Sequence, residues 1–215
     1  MLPGREFDDH FLTRMVDEPT NMNERERQGA GAVPVMTGKP ADEPSPWVCR
    51  WLPQAAGNGR LLDFASGTGR HVRLAVSRGY EVLALDRNPA VRSLAGMPGV
   101  EARVADLEAD AWTWGTERFA VIVVTRYLFR SRLDLLVGLL AEGGCLIYET
   151  YAAGHGRYGK PSRPEHLLQA DELLTLARRA ALRVCAFEQG LEISPREAIV
   201  QRMVAWRGTS PAVLR

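Results

Sequence analysis

The sequence predicts a doubly wound α/β fold around a mostly parallel sheet, and three observations carry that reading. Residues 60–89 run without interruption through a strand pattern, a glycine turn, a helix pattern and a second strand pattern ending in an acid. Apolar strand runs and helical periodicities then keep alternating to residue 150, the rhythm of βαβ units whose helices cover both faces of a parallel sheet. A chain of 215 residues with 46% hydrophobic content is also long and apolar enough for one such domain with a substantial core.

Taken in order, residues 1–46 stand apart as an N-terminal arm and linker. Phe7, Phe11 and Met15 fall at helical spacing, residues 21–27 are polar, and residues 29–46 are rich in glycine and proline. Composition allows either a mobile extension or a flap over a bound ligand. The domain proper spans 47–208, followed by a tail at 209–215. It opens with a short helix at 47–53, where Trp47 and Trp51 lie one turn apart and suit core packing. Leu61, Leu62 and Phe64 around Asp63 make a buried strand. Ala65-Ser66-Gly67-Thr68-Gly69 then offers backbone free of bulky side chains. A helix over 70–78 carries Val72, Ala75 and Val76 on one face, and Gly79 ends it before the strand 82–85 and Asp86. Asn88-Pro89 opens a helix to about residue 95, and 100–105 is a short strand ending at Asp106. Residues 119–125 form an apolar strand, 132–140 a helix, Gly143-Gly144 a turn, and 145–150 another buried strand. A helix near 171–180 and strands near 183–188 and 198–206 complete the pattern.

Composition narrows the function. A net charge of +1 supplies no field for gathering nucleic acid, so none is expected as partner. Cys49, Cys145 and Cys185 are odd in number and far apart, which fits neither a disulfide framework nor a zinc site; they read as reduced core residues. His71 and His166 read as structural, and no cluster has metal-ligand spacing, so no metal is expected. The acidic start lacks a signal-peptide core, and nowhere do eighteen apolar residues run together. The expectation is a cytoplasmic protein away from the membrane, with its oligomeric state open.

The chemistry is concentrated in the first half-site. Free N–H groups at a helix start attract a carboxylate or phosphate, and an acid at the tip of the neighbouring strand accepts both ribose hydroxyls. Asp86 stands 19 positions after Gly67, the spacing this geometry needs. A nucleoside with a charged tail therefore fits. The dinucleotide fingerprint asks for a third glycine where this chain has Val72, which argues against NAD. The crevice is expected at the carboxyl ends of the first and fourth strands, where the strand order reverses.

A second glycine-rich stretch, Gly154-His155-Gly156-Arg157-Tyr158-Gly159-Lys160, has the spacing of a phosphate-binding loop, but Pro161 replaces the serine or threonine that would hold magnesium. It reads better as a lid, with Tyr151, His155, Arg157 and Tyr158 able to close over a ligand.

The motif Asp63-Phe64-Ala65-Ser66-Gly67-Thr68-Gly69 with Asp86 downstream resembles the cofactor-binding motif of class I S-adenosylmethionine-dependent methyltransferases, and the resemblance extends over residues 47–206. It implies a Rossmann-like, mostly parallel seven-stranded sheet closed by an antiparallel C-terminal hairpin, with S-adenosyl-L-methionine as cofactor and a small-molecule methyl acceptor as partner. By that resemblance Ala65, Ser66, Gly67 and Gly69 wrap the methionine part of the cofactor and Asp63 organises the loop. Asp86 takes the ribose, with Arg87 beside it. Asp106 and the N–H of Leu107 face the adenine, Arg70 holds the carboxylate, and Thr125 lies beside the sulfonium. More loosely, the segment from Tyr148-Glu149-Thr150-Tyr151 to Asp171-Glu172-Leu173 resembles tellurite-resistance-like bacterial methyltransferases. Arg126, Tyr127, Tyr151 and Tyr158 are the expected acceptor-binding residues, and Arg126 favours an anionic acceptor. Tyr127, Glu149 and Tyr151 are the candidates for a general base, should the acceptor need one. Two rivals remain: a cofactor-binding regulator or scaffold without turnover, and an NAD(P)-dependent oxidoreductase, which Val72 opposes.

Overall fold

The computed structural model describes residues 43–53, 59–113 and 116–208. The expected helix of Phe7, Phe11 and Met15 and the tail 209–215 lie outside the described residues, as does most of the arm.

A short helix α1 (Pro46–Trp51) begins where the Ser45 hydroxyl accepts the Trp47 N–H, with Pro46 at the first helical position. The chain continues through β1 (Arg60–Phe64), α2 (Arg70–Ser77), β2 (Glu81–Asp86), a 3₁₀ helix at Pro89–Gly96 and β3 (Val100–Val104). Then follow β4 (Phe119–Thr125), α3 (Leu133–Gly138), β5 (Leu140–Tyr151), α4 (Glu172–Arg179), β6 (Arg183–Glu192) and β7 (Ala198–Trp206).

The seven strands form one sheet in the order β3-β2-β1-β4-β5-β7-β6. The first five are mutually parallel, and β7 runs antiparallel to both β5 and β6. This is the Rossmann-like, mostly parallel seven-stranded sheet with an antiparallel C-terminal hairpin. Period-two alternation divides the core into two layers. Leu62, Phe64, Leu83, Leu85, Ile122 and Val124 meet α3 and α4 on one face. Leu61, Val82, Ala84, Val121 and Val123 meet Trp47, Val72 and Ala75 on the other. Asp63 alternates in phase with Leu61, so its carboxylate is carried into the α1–α2 layer. Trp47 is buried and packs on Trp51, their ring centroids 5.7 Å apart.

Four local expectations are corrected. Gly143-Gly144 does not end a turn before the strand; both lie inside β5, which starts at Leu140. A β-carbon on Gly144 would stand 2.8 Å from the Ala141 carbonyl oxygen and 2.9 Å from that of Phe119, so glycine lets the strand continue through a crowded irregularity beside β4. The helix expected over 132–140 is accordingly shorter, because Leu140 already pairs with Phe119. The helix after Asn88-Pro89 is 3₁₀ rather than α. The first strand of the hairpin runs to Glu192 rather than residue 188, held by its long pairing with β7. All three cysteines are free; Cys145 is buried, whereas Cys49 and Cys185 are only half-buried. Among the described residues no helix is long and apolar enough to cross a membrane.

Candidate functional site

Strand order reverses between β1 and β4, so the loops leaving their carboxyl ends diverge and leave a crevice. A cavity of about 640 Å³ occupies it. Its wall is the loop after β1, from Ala65 through Thr68, together with Arg70 at the start of α2. Asp86 and Arg87 enter from the end of β2, Asp106 and Leu107 from beyond β3, and Thr125, Arg126 and Tyr127 from the end of β4.

The loop is held by three backbone features. The Ser66 N–H donates to the Leu85 carbonyl at 2.9 Å, and the Gly69 N–H to the Ser66 carbonyl at 3.0 Å. The Gly67 N–H donates to Asp86 Oδ2 at 2.7 Å. Asp86 Oδ1 accepts from the Asn88 N–H at 2.8 Å, fixing the carboxylate at the cavity wall. Gly69, with φ 78°, forms the N-cap of α2, and a β-carbon there would lie 2.6 Å from the Leu94 methyl groups. It shapes the loop from behind and does not line the cavity. Gly67, with φ 58°, does line it, and a β-carbon there would meet open space.

Asp63 is 1% exposed and its carboxylate faces the Val72 backbone of α2 with no side-chain partner, while the loop is tied directly to Asp86. Burial pushes the Asp63 carboxyl up to about 7, opposed by the Arg70 guanidinium and reinforced by the Asp86 carboxylate.

Arg70, at the start of α2, is 8% exposed and donates to the Glu43 carbonyl at 3.2 Å and Thr125 Oγ1 at 3.4 Å. Burial, and then the charge of Arg126, lower its pKa. His71 lies next to it, buried. Its Nε2 accepts the Ser45 N–H at 3.1 Å, which leaves the ring proton on Nδ1, 3.4 Å from Thr125 Oγ1. Burial, with Arg70 and Arg126, pulls the imidazole down to about 3, so it is neutral. His71 thus has the structural role expected of it, joining α1, α2 and β4 beneath the crevice. His166 instead lines the cavity, together with Thr150 and Pro161. No spacing in the sequence signals those three, because the segment after β5 brings two of them back over the strand ends.

On the far side of the crevice, Asp106 Oδ1 accepts from the N–H groups of Glu108 and Ala109, which hold its carboxyl below the usual range. Tyr127 packs edge-on against Phe64 with centroids 5.4 Å apart, and its hydroxyl is buried without a partner. Burial raises that phenol further from neutral pH.

The remaining candidates line a second, smaller cavity of about 250 Å³. Glu149, Tyr151 and Tyr158 are there, and Arg126 and Thr150 belong to both cavities. Glu149 is paired with Arg202 at 3.3 Å, and burial raises its carboxyl pKa against that pairing. Tyr151 stacks on the buried His155, centroids 4.0 Å apart and planes 15° from parallel. The glycine-rich stretch expected to be a lid is therefore anchored at His155, whose Nε2 lies 3.3 Å from the Lys160 carbonyl. Among the described residues no group of acids, histidines and cysteines could hold a metal.

Fold and crevice together define a class: a Rossmann-like, mostly parallel seven-stranded sheet with a cavity where the strand order reverses. Solved structures share that fold. A SAM-dependent methyltransferase from Methanosarcina mazei aligns with a TM-score of 0.59 at 15% identity, over 78% of this chain and 100% of that one. TehB from Haemophilus influenzae aligns at 0.56 and 16% identity, over 70% of this chain and 58% of its own. The 1,6-didemethyltoxoflavin-N1-methyltransferase of Burkholderia thailandensis, solved with 1,6-didemethyltoxoflavin and S-adenosylhomocysteine, aligns at 0.55 and 19% identity, over 71% and 72%. At such identities the likeness establishes the fold. No family model and no curated protein matches the chain.

Proposed function

We propose that this chain is an S-adenosylmethionine-dependent methyltransferase acting on a small molecule. The observation that carries the reading is the joining of Gly67 to Asp86 on the wall of a cavity that Asp106 also lines. The cofactor fits what is present: 640 Å³ lies within the ~300–1,000 Å³ of ligand pockets, and Gly67 leaves space on the ligand side. NAD fits less well, since Val72, fully buried in the core, stands where a third glycine would let helix and strand approach.

Each residue has a definite task in this reading. Asp86 accepts the ribose hydroxyls, and Asp106, with one oxygen committed to backbone, keeps the other for an adenine amino group. Arg70, held in place by Thr125 and Glu43, neutralises a carboxylate. When bound, S-adenosylmethionine supplies an electrophilic methyl group with its own leaving group. The protein supplies alignment of the acceptor with that methyl group. The three candidate bases are poorly placed to take a proton: Tyr127 is a buried phenol, Glu149 is paired with Arg202, and Tyr151 is stacked. An acceptor that arrives already nucleophilic suits this site best.

The test is turnover: release of S-adenosylhomocysteine measured across a panel of thiols, oxyanions, phenols and amines. Release with at least one small acceptor supports the proposal. Tight binding of the product with no release across the panel favours a cofactor-binding regulator.

A further inference from the structure

The second cavity adjoins the first through Arg126 and Thr150, residues that line both. Its contents divide sharply by commitment. Glu149 and Glu192 are already paired with Arg202, which lies over the Trp47 ring. Arg126, Lys160 and Arg196 also line this cavity, as does the carboxylate of Glu197, and among the described residues none of these four charged groups has an ion pair, so the uncommitted charge is three cations against one acid. Arg126 is exposed and held by its backbone alone, its N–H donating to the Glu149 carbonyl at 2.9 Å, with φ 54°. A loose cation at a left-handed backbone position is a feature the sheet does not need for its own stability.

The cavity also has an aromatic wall. Tyr151 lies flat on His155, and Tyr158 is 40% exposed. At about 250 Å³ the space is smaller than drug-sized ligand pockets, enough for a single ring and little more. Unpaired guanidinium groups recognise carboxylates by two parallel hydrogen bonds, and partial enclosure strengthens the attraction. Rings prefer to pack on other rings in offset or edge-on geometry.

We infer that this second cavity is the acceptor subsite and that it selects a compact aromatic carboxylate, its anion held by Arg126 and Lys160 and its ring against Tyr151 and Tyr158. The inference rests on the methyltransferase reading, since it is Arg126 and Thr150 that bring an occupant of this cavity next to the cofactor crevice.

The test is calorimetric titration of the whole chain with benzoate, acetate and benzyl alcohol, with and without saturating S-adenosylhomocysteine, repeated on Lys160→Ala. Lys160 lines the second cavity only. Benzoate is expected to bind at least about tenfold more tightly than either acetate or benzyl alcohol, because only it offers both charge and ring. Lys160→Ala is expected to weaken benzoate by about tenfold and to leave S-adenosylhomocysteine within about twofold. If S-adenosylhomocysteine binds but benzoate shows no preference, or is untouched by Lys160→Ala, the acceptor assignment is overturned while the methyltransferase reading stands. If S-adenosylhomocysteine fails to bind the folded protein, both are overturned.

Discussion

The backbone N–H of Gly67 donates to the carboxylate of Asp86 at 2.7 Å, closing 19 positions of sequence into a single wall. Loop and acid are thus one unit, and the acid is oriented before any ligand arrives. Replacing Asp86 by alanine removes a charged acceptor and releases the loop. We expect S-adenosylhomocysteine affinity to fall by roughly 1–3 kcal/mol, with the fold retained by far-UV circular dichroism. Unchanged affinity in a folded Asp86→Ala protein would place the ribose elsewhere.

Gly67 and Gly69 separate ligand space from packing. Both have positive φ, so alanine at either costs roughly 1–2 kcal/mol in backbone strain. Only at Gly69 does the new β-carbon also strike Leu94, which adds roughly 1–3 kcal/mol of overpacking. Denaturant melts should therefore show Gly69→Ala as the less stable variant. Gly67→Ala, whose β-carbon enters open space beside the cavity, should lose cofactor affinity instead. Equal stabilities would contradict this division.

Asp63 and His71 give opposite pH signatures. The Asp63 carboxyl is raised from 3.8 to about 7, so the folded state keeps the proton longer than the unfolded chain. Its contribution is full below pH ~4 and is lost as the pH rises through about 7, a change on the order of 4 kcal/mol. Asp63→Asn, which cannot ionise, should gain stability relative to the parent across that window. His71 is lowered from 6.5 to about 3, so its contribution is full above pH ~6.5 and is lost as pH falls toward 3. His71→Gln should therefore gain relative stability on acidification. Chemical denaturation over a pH series checks both. A pH-independent difference for either variant would contradict the assignment of its burial.

The Tyr127 hydroxyl is buried without a partner, so it pays a desolvation cost with no return. Tyr127→Phe should leave stability unchanged within about 0.5 kcal/mol or raise it. With an active acceptor in hand it should leave the pH–rate profile unmoved. Loss of the rising limb, in which activity grows with pH as a base deprotonates, would restore Tyr127 as a proton acceptor.

These relationships also mark what the sequence reveals. The β1–loop–α2–β2 unit is legible because its signals are local: apolar runs, small residues and an acid at fixed spacing. The sheet's closing hairpin is legible only through the family resemblance, whereas Asp86, Asp106 and Thr125 stand out because each falls at or just beyond a strand end. What escapes is set by contacts distant in sequence. Ser45 reaches His71 across 26 positions, and Arg202 draws Glu149 and Glu192 into one cluster. The burial of Arg70 depends on Glu43 and Thr125, neither of which its helix position announces. Gly143-Gly144 reads as a turn because the same residues serve turns and crowded strands alike.

The most direct measurement is isothermal titration of the whole chain with S-adenosylhomocysteine, using NAD as the counter-ligand. One saturable site is expected for S-adenosylhomocysteine, with no measurable heat for NAD. A blank with S-adenosylhomocysteine from folded protein, or a site that prefers NAD, would contradict that expectation.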